Sequence, residues 1–122
     1  MKTEKQFKAA SIVVMSLGII HICATPFVLP MFRILGTTGL LTFAYMFVFT
    51  GLAIFSLGWL QNFIISKLAA HEGFKTILKV TVIVVSLSGI GAVATMFSNP
   101  FAYIILLVAL YECFLLPKIL KS

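Results

Sequence analysis

Long apolar runs dominate the chain, separated by short breaks rich in Gly, Pro and polar residues. Four runs stand out, at Ala9–Leu29, Thr38–Ser66, Thr76–Phe97 and Pro100–Leu116. Each is near the roughly 20 residues needed to cross a hydrocarbon core about 30 Å thick. None shows the strict alternation of apolar and polar positions that marks a transmembrane strand. The run Val80–Val85 is rich in β-branched residues and would favour a strand in water. In lipid the backbone has to satisfy its own hydrogen bonds, so the same run predicts helix. The pattern predicts an all-α integral membrane protein, one domain over residues 1–122, with four transmembrane helices in an antiparallel bundle.

The breaks carry their own chemistry. Pro26 and Pro30 flank the end of the first run, and Pro26 predicts a kink in its last turn. Gly36-Thr37-Thr38-Gly39 reads as a turn in which a threonine caps the second helix. His71-Glu72-Gly73 reads as the close of the second helix, with Gly73 as its terminator. Ser98-Asn99-Pro100 reads as a tight connection, a capping residue followed by proline at the first helical position. Pro117 is expected to stop the fourth helix. The first run is too long for a signal-peptide core, and Ala24-Thr25-Pro26 makes a poor cleavage site.

Composition narrows the class. Hydrophobic residues make up 61% of the 122 positions and charged residues 10%, against roughly 45–50% and 25% in an ordinary soluble domain. That excludes a soluble enzyme with a solvated surface, and it excludes disorder. The net charge of +6 comes from lysines segregated between loops rather than from an Arg-rich stripe, so no nucleic-acid partner is expected. Lys2, Lys5 and Lys8, then Lys67, Lys75 and Lys79, then Lys118 and Lys121 fall on one side of a four-span topology, and Arg33 alone falls on the other. Positive charge collects in the cytoplasm. Both termini are therefore expected to be cytoplasmic, in a bacterial-type inner membrane.

Small residues recur at helical spacing in every run: Ser11, Gly18 and Thr25; Ala44, Gly51 and Gly58; Ser88, Gly91, Ala92 and Thr95; Ala102 and Ala109. In lipid such stripes mark faces where helix backbones approach closely. The phenylalanines are expected to face lipid for the most part. Polar residues fall beside the stripes: His21 three after Gly18, Gln61 and Asn62 three and four after Gly58, Glu112 three after Ala109. At about 1.5 Å per residue they separate into two layers. An inner layer holds Glu112 at ~6 Å depth, with Gln61, Asn62, Trp59 and Thr81. An outer layer holds His21 at ~12 Å depth, with Tyr45, Thr25, Thr95 and Tyr103. His21 and Glu112 are not expected to touch.

Glu112 is the leading candidate, because a charged acid inside a span costs on the order of 2.5–3.5 kcal/mol and needs an offset from partners, water or function. Its functional reading is a proton or cation site; the bland one is a carboxyl that reaches interfacial water or Lys118, or bonds to Asn62 or Gln61. For His21 the choice lies between a proton shuttle or ligand and an interhelical hydrogen bond to Tyr45 or Thr95. Trp59 is an interfacial anchor or a wall of the inner layer. No metal is expected, since Cys23 lies about 200° around the helix from His21 and too few donors share that side. No cofactor is expected either. Cys23 and Cys113 lie too far apart in depth for a disulfide and read as small apolar fillers. His71-Glu72 lacks a second histidine for a zinc motif, and no paired carboxylates or Ser/His/Asp set appears.

Length and span count resemble those of the small multidrug-resistance transporters. That family's essential glutamate lies in the first helix, where this chain offers His21, so no residue of its site carries over. Three functions follow from the residues. The first is binding or transport of a lipidic or small amphipathic ligand in a polar pocket formed by Glu112, Asn62, Gln61 and Trp59, with His21 and Tyr45 in a second layer. Such transport calls for a homodimer. The second is a non-catalytic accessory or assembly subunit of a larger membrane partner. The third is an intramembrane lipid-modifying enzyme with His21 or Glu112 as acid or base.

Overall fold

The computed structural model describes residues 2–67 and 71–121. Met1, residues 68–70 and Ser122, which fall within the predicted domain and its second connection, lie outside them. The described chain is all-helical: α1 (Lys2–Val28), a 3-10 segment (Leu29–Leu35), α2 (Gly36–Lys67), α3 (Glu72–Thr95) and α4 (Pro100–Leu120). No strand occurs among the described residues. Helix runs from Lys2 to Lys67 through the 3-10 segment, so three helical stretches are long and apolar enough to cross a membrane: Lys2–Lys67, Glu72–Thr95 and Pro100–Leu120.

The first stretch doubles back on itself. Phe32 leaves helical geometry at φ −107°, ψ 18°, and Gly36 follows at φ 68°, ψ 177°. That second conformation is essentially restricted to glycine, and it reverses the chain. The backbone N–H of Gly36 bonds the carbonyl of Arg33. α1 and α2 then run antiparallel in close contact. A Cβ on Gly18 would stand 2.5 Å from the Phe55 backbone nitrogen, and one on Gly58 would stand 2.7 Å from both Met15 N and Ser11 O. Ser11, Gly18, Thr25, Gly51 and Gly58 are buried as their spacing predicts, while Ala44 is only half-buried; at the three glycines only a hydrogen fits between the backbones.

α3 and α4 form a second antiparallel pair, closed where Gly89 meets the Leu106 backbone and where Ser86 Oγ lies 3.3 Å from Cys113 Sγ. Ala102 and Ala109 are buried here as expected. The α3 stripe is not: Gly91 and Thr95 are exposed, and α3 buries Leu78, Thr81, Val82, Val85 and Gly89 instead. Its bulky β-branched face fills the bundle, which leaves the small residues outside.

Two apolar clusters join the hairpins. Phe7, Ile64, Ile65, Leu78, Val82, Leu115 and Ile119 gather at the end that carries the lysines. Val14, Val85 and Ala109 pack further along. Phe7 is fully buried, while Phe27, Phe49, Phe63, Phe97, Phe101 and Phe114 face outward.

Several boundaries differ from the sequence expectation. α1 starts at Lys2 rather than Ala9, since nothing in Thr3–Lys8 breaks a helix. Pro26 sits inside α1. α2 begins at Gly36, so neither threonine caps it; the Thr38 carbonyl instead accepts from Thr42 Oγ1. Gly73 does not end α2: it lies in the first turn of α3, after His71 as the capping position. Pro117 does not stop α4, which continues to Leu120 and packs Ile119 into the core. Asn99 caps α4 as predicted, its Oδ1 accepting from Phe101 N at 3.0 Å.

Candidate functional site

Two adjacent residues of α2 reach different helices, because neighbours on a helix point about 100° apart. Gln61 turns toward α4 and donates from Nε2 to Glu112 Oε2 at 2.9 Å. Asn62 turns toward α1 and donates from Nδ2 to Ser11 Oγ at 3.2 Å. Ser11 passes the chain on, its hydroxyl donating to the Lys8 carbonyl at 2.8 Å. Thr81 on α3 is 3% exposed and bonds the Leu78 carbonyl of its own helix.

Gln61 and Glu112 are both 0% exposed. Their bond uses one oxygen of the carboxyl and the nitrogen of the amide. The other two oxygens, Gln61 Oε1 and Glu112 Oε1, are buried and without a hydrogen-bond partner. Each such acceptor costs about 1–3 kcal/mol, so the pair stands ready to accept from an N–H or O–H donor or to hold a small cation. The continuation of α4 past Pro117 places Glu112 eight residues before Leu120, about 12 Å along the helix rather than the ~6 Å expected from a helix ending at Leu116.

The remaining expected site residues stand elsewhere. Trp59 is 55% exposed and stacks on Phe63 with ring centroids 6.0 Å apart, outside the pair. His21 is partly exposed and stacks on Phe47 at 3.7 Å. Its imidazole forms no hydrogen bond to Tyr45 or Thr95. Tyr45 is 70% exposed and stacks on Phe49, Thr95 bonds the Gly91 carbonyl, and Tyr103 donates to the Phe97 carbonyl at 2.7 Å. The inner layer thus contracts to Gln61, Glu112, Asn62 and Ser11, and the outer layer is not assembled. His21 and Glu112 are separate: their partners Phe47 and Gln61 lie fourteen residues apart on α2, about 21 Å along its axis. Cys23 and Cys113 are unpaired and both exposed, not core fillers. No group of three His, Cys, Asp or Glu side chains that could hold a metal occurs among the described residues.

Sequence reasoning treated Ser11 only as a small packing residue. The signal for its polar role was present: it sits seven before Gly18 on the α1 stripe, facing the helix that carries Asn62. A surface groove on the α1–α4 seam was also missed, because no single-helix pattern reveals a seam. Its volume is about 390 Å³. Ala9, Ala10 and Val13 line it from α1, Leu107 and Val108 from α4, and Gln6 and Tyr111 stand at the end toward the lysines.

Comparison with known proteins gives no matching family model, no similar curated protein and no similar solved structure.

Proposed function

We propose that this chain is a small polytopic membrane protein that binds or transports a lipidic or small amphipathic ligand, engaging the ligand's polar donor through Gln61 and Glu112. The carrying observation is the pair of orphaned, fully buried oxygens on those two side chains. A site that leaves two buried acceptors unpaired is stabilised by whatever supplies donors to them. In this reading the chain crosses the membrane four times, with α1 and α2 as separate spans, and the ends at Lys2 and Lys121 lie in the cytoplasm. The eight lysines against Arg33 support that orientation, as does the convergence of Phe7, Ile64, Leu78 and Ile119 at one end of the bundle. A bacterial inner membrane is the matching compartment.

Native mass spectrometry of the protein released from lipid nanodiscs tests the proposal. A discrete bound mass other than that of a nanodisc phospholipid is expected on the wild type and on His21→Ala, and is lost from Glu112→Gln. An identical set of bound masses in all three, with nothing beyond nanodisc phospholipid, removes the ligand site.

A second reading rests on α3. Gly91 and Thr95 are exposed, and a Cβ on Gly91 would meet nothing within 4 Å. A small-residue face left uncovered is where a neighbouring membrane helix packs closely, which fits an accessory subunit of a larger complex. Gly91→Leu that abolishes co-purification of a stoichiometric partner would favour it over ligand handling.

A further inference from the structure

The helical pairs differ in how their seams are closed. Glycines bring α1 and α2 into backbone contact, and Gly89 does the same for α3 and α4. The α1–α4 seam has no such contact along Ala9–Val13, and there the groove opens. Its volume of about 390 Å³ falls within the range of small-molecule sites, roughly 300–1,000 Å³. The walls are aliphatic, and the two alanines make the floor recede.

Charge distinguishes the two ends of this groove. On α1, Lys2 lies four residues before Gln6 and so on the same face. On α4, Lys118 lies seven residues after Tyr111, again on the same face. Lys118 Nζ stands 3.7 Å from the Phe114 ring centroid, a contact that holds its ammonium on that outward surface. The groove therefore runs from an apolar trough to the polar ends of Gln6 and Tyr111, and Lys2 and Lys118 stand beyond them on the same helix faces, about 6 Å and about 10 Å further along their axes.

We propose that the groove is a binding site for an anionic phospholipid, one acyl chain lying along Ala9, Val13 and Leu107 and the phosphate facing Lys2 and Lys118. The inference rests on the membrane-spanning reading of the chain and does not involve the Gln61–Glu112 pair. Charge complementarity selects the occupant. A zwitterionic lipid would fill the trough equally well but would gain less from the lysines, and a lone apolar helix would leave both ammonium groups unanswered.

The test uses the full chain in nanodiscs of phosphatidylcholine and phosphatidylglycerol mixed in equal amounts, read by native mass spectrometry of retained lipid. One phosphatidylglycerol is expected to persist per chain, in preference to phosphatidylcholine. Lys2→Gln with Lys118→Gln should lower that preference by about 5-fold for each lysine while a lipid is still retained. Ala9→Phe fills the trough and should remove the adduct, with helicity by circular dichroism unchanged. Glu112→Gln should leave the phosphatidylglycerol in place, which separates this site from the buried pair. Equal retention of the two lipids, or an adduct that survives Ala9→Phe undiminished, overturns the proposal. If Ala9→Phe does not fold, the lysine variants decide alone: an unaltered preference overturns it.

Discussion

Gln61 Nε2 donates to Glu112 Oε2 over 2.9 Å, tying α2 to α4 across 51 positions of sequence. Each partner leaves one buried oxygen unanswered. Removing one member should therefore hurt more than removing both. Glu112→Leu alone is expected to cost about 1–3 kcal/mol by stranding the Gln61 amide. Gln61→Leu with Glu112→Leu should return to within about 1 kcal/mol of wild type, since an apolar pair of similar shape leaves nothing to satisfy. Reversible unfolding in mixed micelles measures both. Additive losses in the double variant would show that the bond is not a self-contained unit.

The α1–α2 contact gives a sharper expectation. A side chain on Gly58 would strike the backbone of Met15 and Ser11, so Gly58→Leu should lower stability by about 3 kcal/mol. Gly91 faces open space, and Gly91→Leu should leave the isolated chain as stable as wild type. Thermal unfolding of the two variants side by side tells them apart; equal losses would contradict the packing.

The register of α3 on α4 can be trapped covalently. Ser86 Oγ and Cys113 Sγ are 3.3 Å apart, close to the geometry a disulfide needs. Ser86→Cys is expected to form an intramolecular bridge with Cys113 under mild oxidation, seen as a shift in gel mobility that a reductant reverses. A change of α3 register by one residue would rotate position 86 by about 100° away from α4, and no bridge would form.

Sidedness follows from labelling. In a background with Cys23→Ser and Cys113→Ser, a cysteine at Ser98 should react with an impermeant maleimide added to intact cells. A cysteine at His71 should react only after lysis. Both positions are exposed. The reverse pattern would invert the orientation drawn from the lysines.

The existence of the helices was readable because composition and length leave lipid-borne backbone no alternative. Their ends were not. Pro117 looked like a stop, yet proline removes a single donor and Ile119 beyond it gains a place in the core. Gly73 looked like a terminator, yet its position after His71 puts it in the first turn of the next helix, where backbone N–H groups need no helical partner. The polar pair was half legible. The spacing put Gln61 and Glu112 on packing faces, but it also put His21 there, and only the three-dimensional arrangement sets His21 against Phe47 instead of a hydrogen-bond partner. The α3 stripe failed for a general reason: spacing identifies a small-residue face without saying whether the bundle or its surroundings will cover it.

The placing of the two apolar clusters has a mechanical consequence. Both bind the hairpins together from the lysine-bearing end to the level of Val14, Val85 and Ala109, while each hairpin is locked internally by its own glycine contacts. The molecule is thus built like tongs, with two stiff arms joined at the base. Ala109 lies nine residues from Pro100, an arm of about 14 Å at 1.5 Å per residue. A tilt of about 10° at that level would part the tips at the 3-10 segment and Ser98 by about 2 Å on that arm length, without breaking a contact inside either arm.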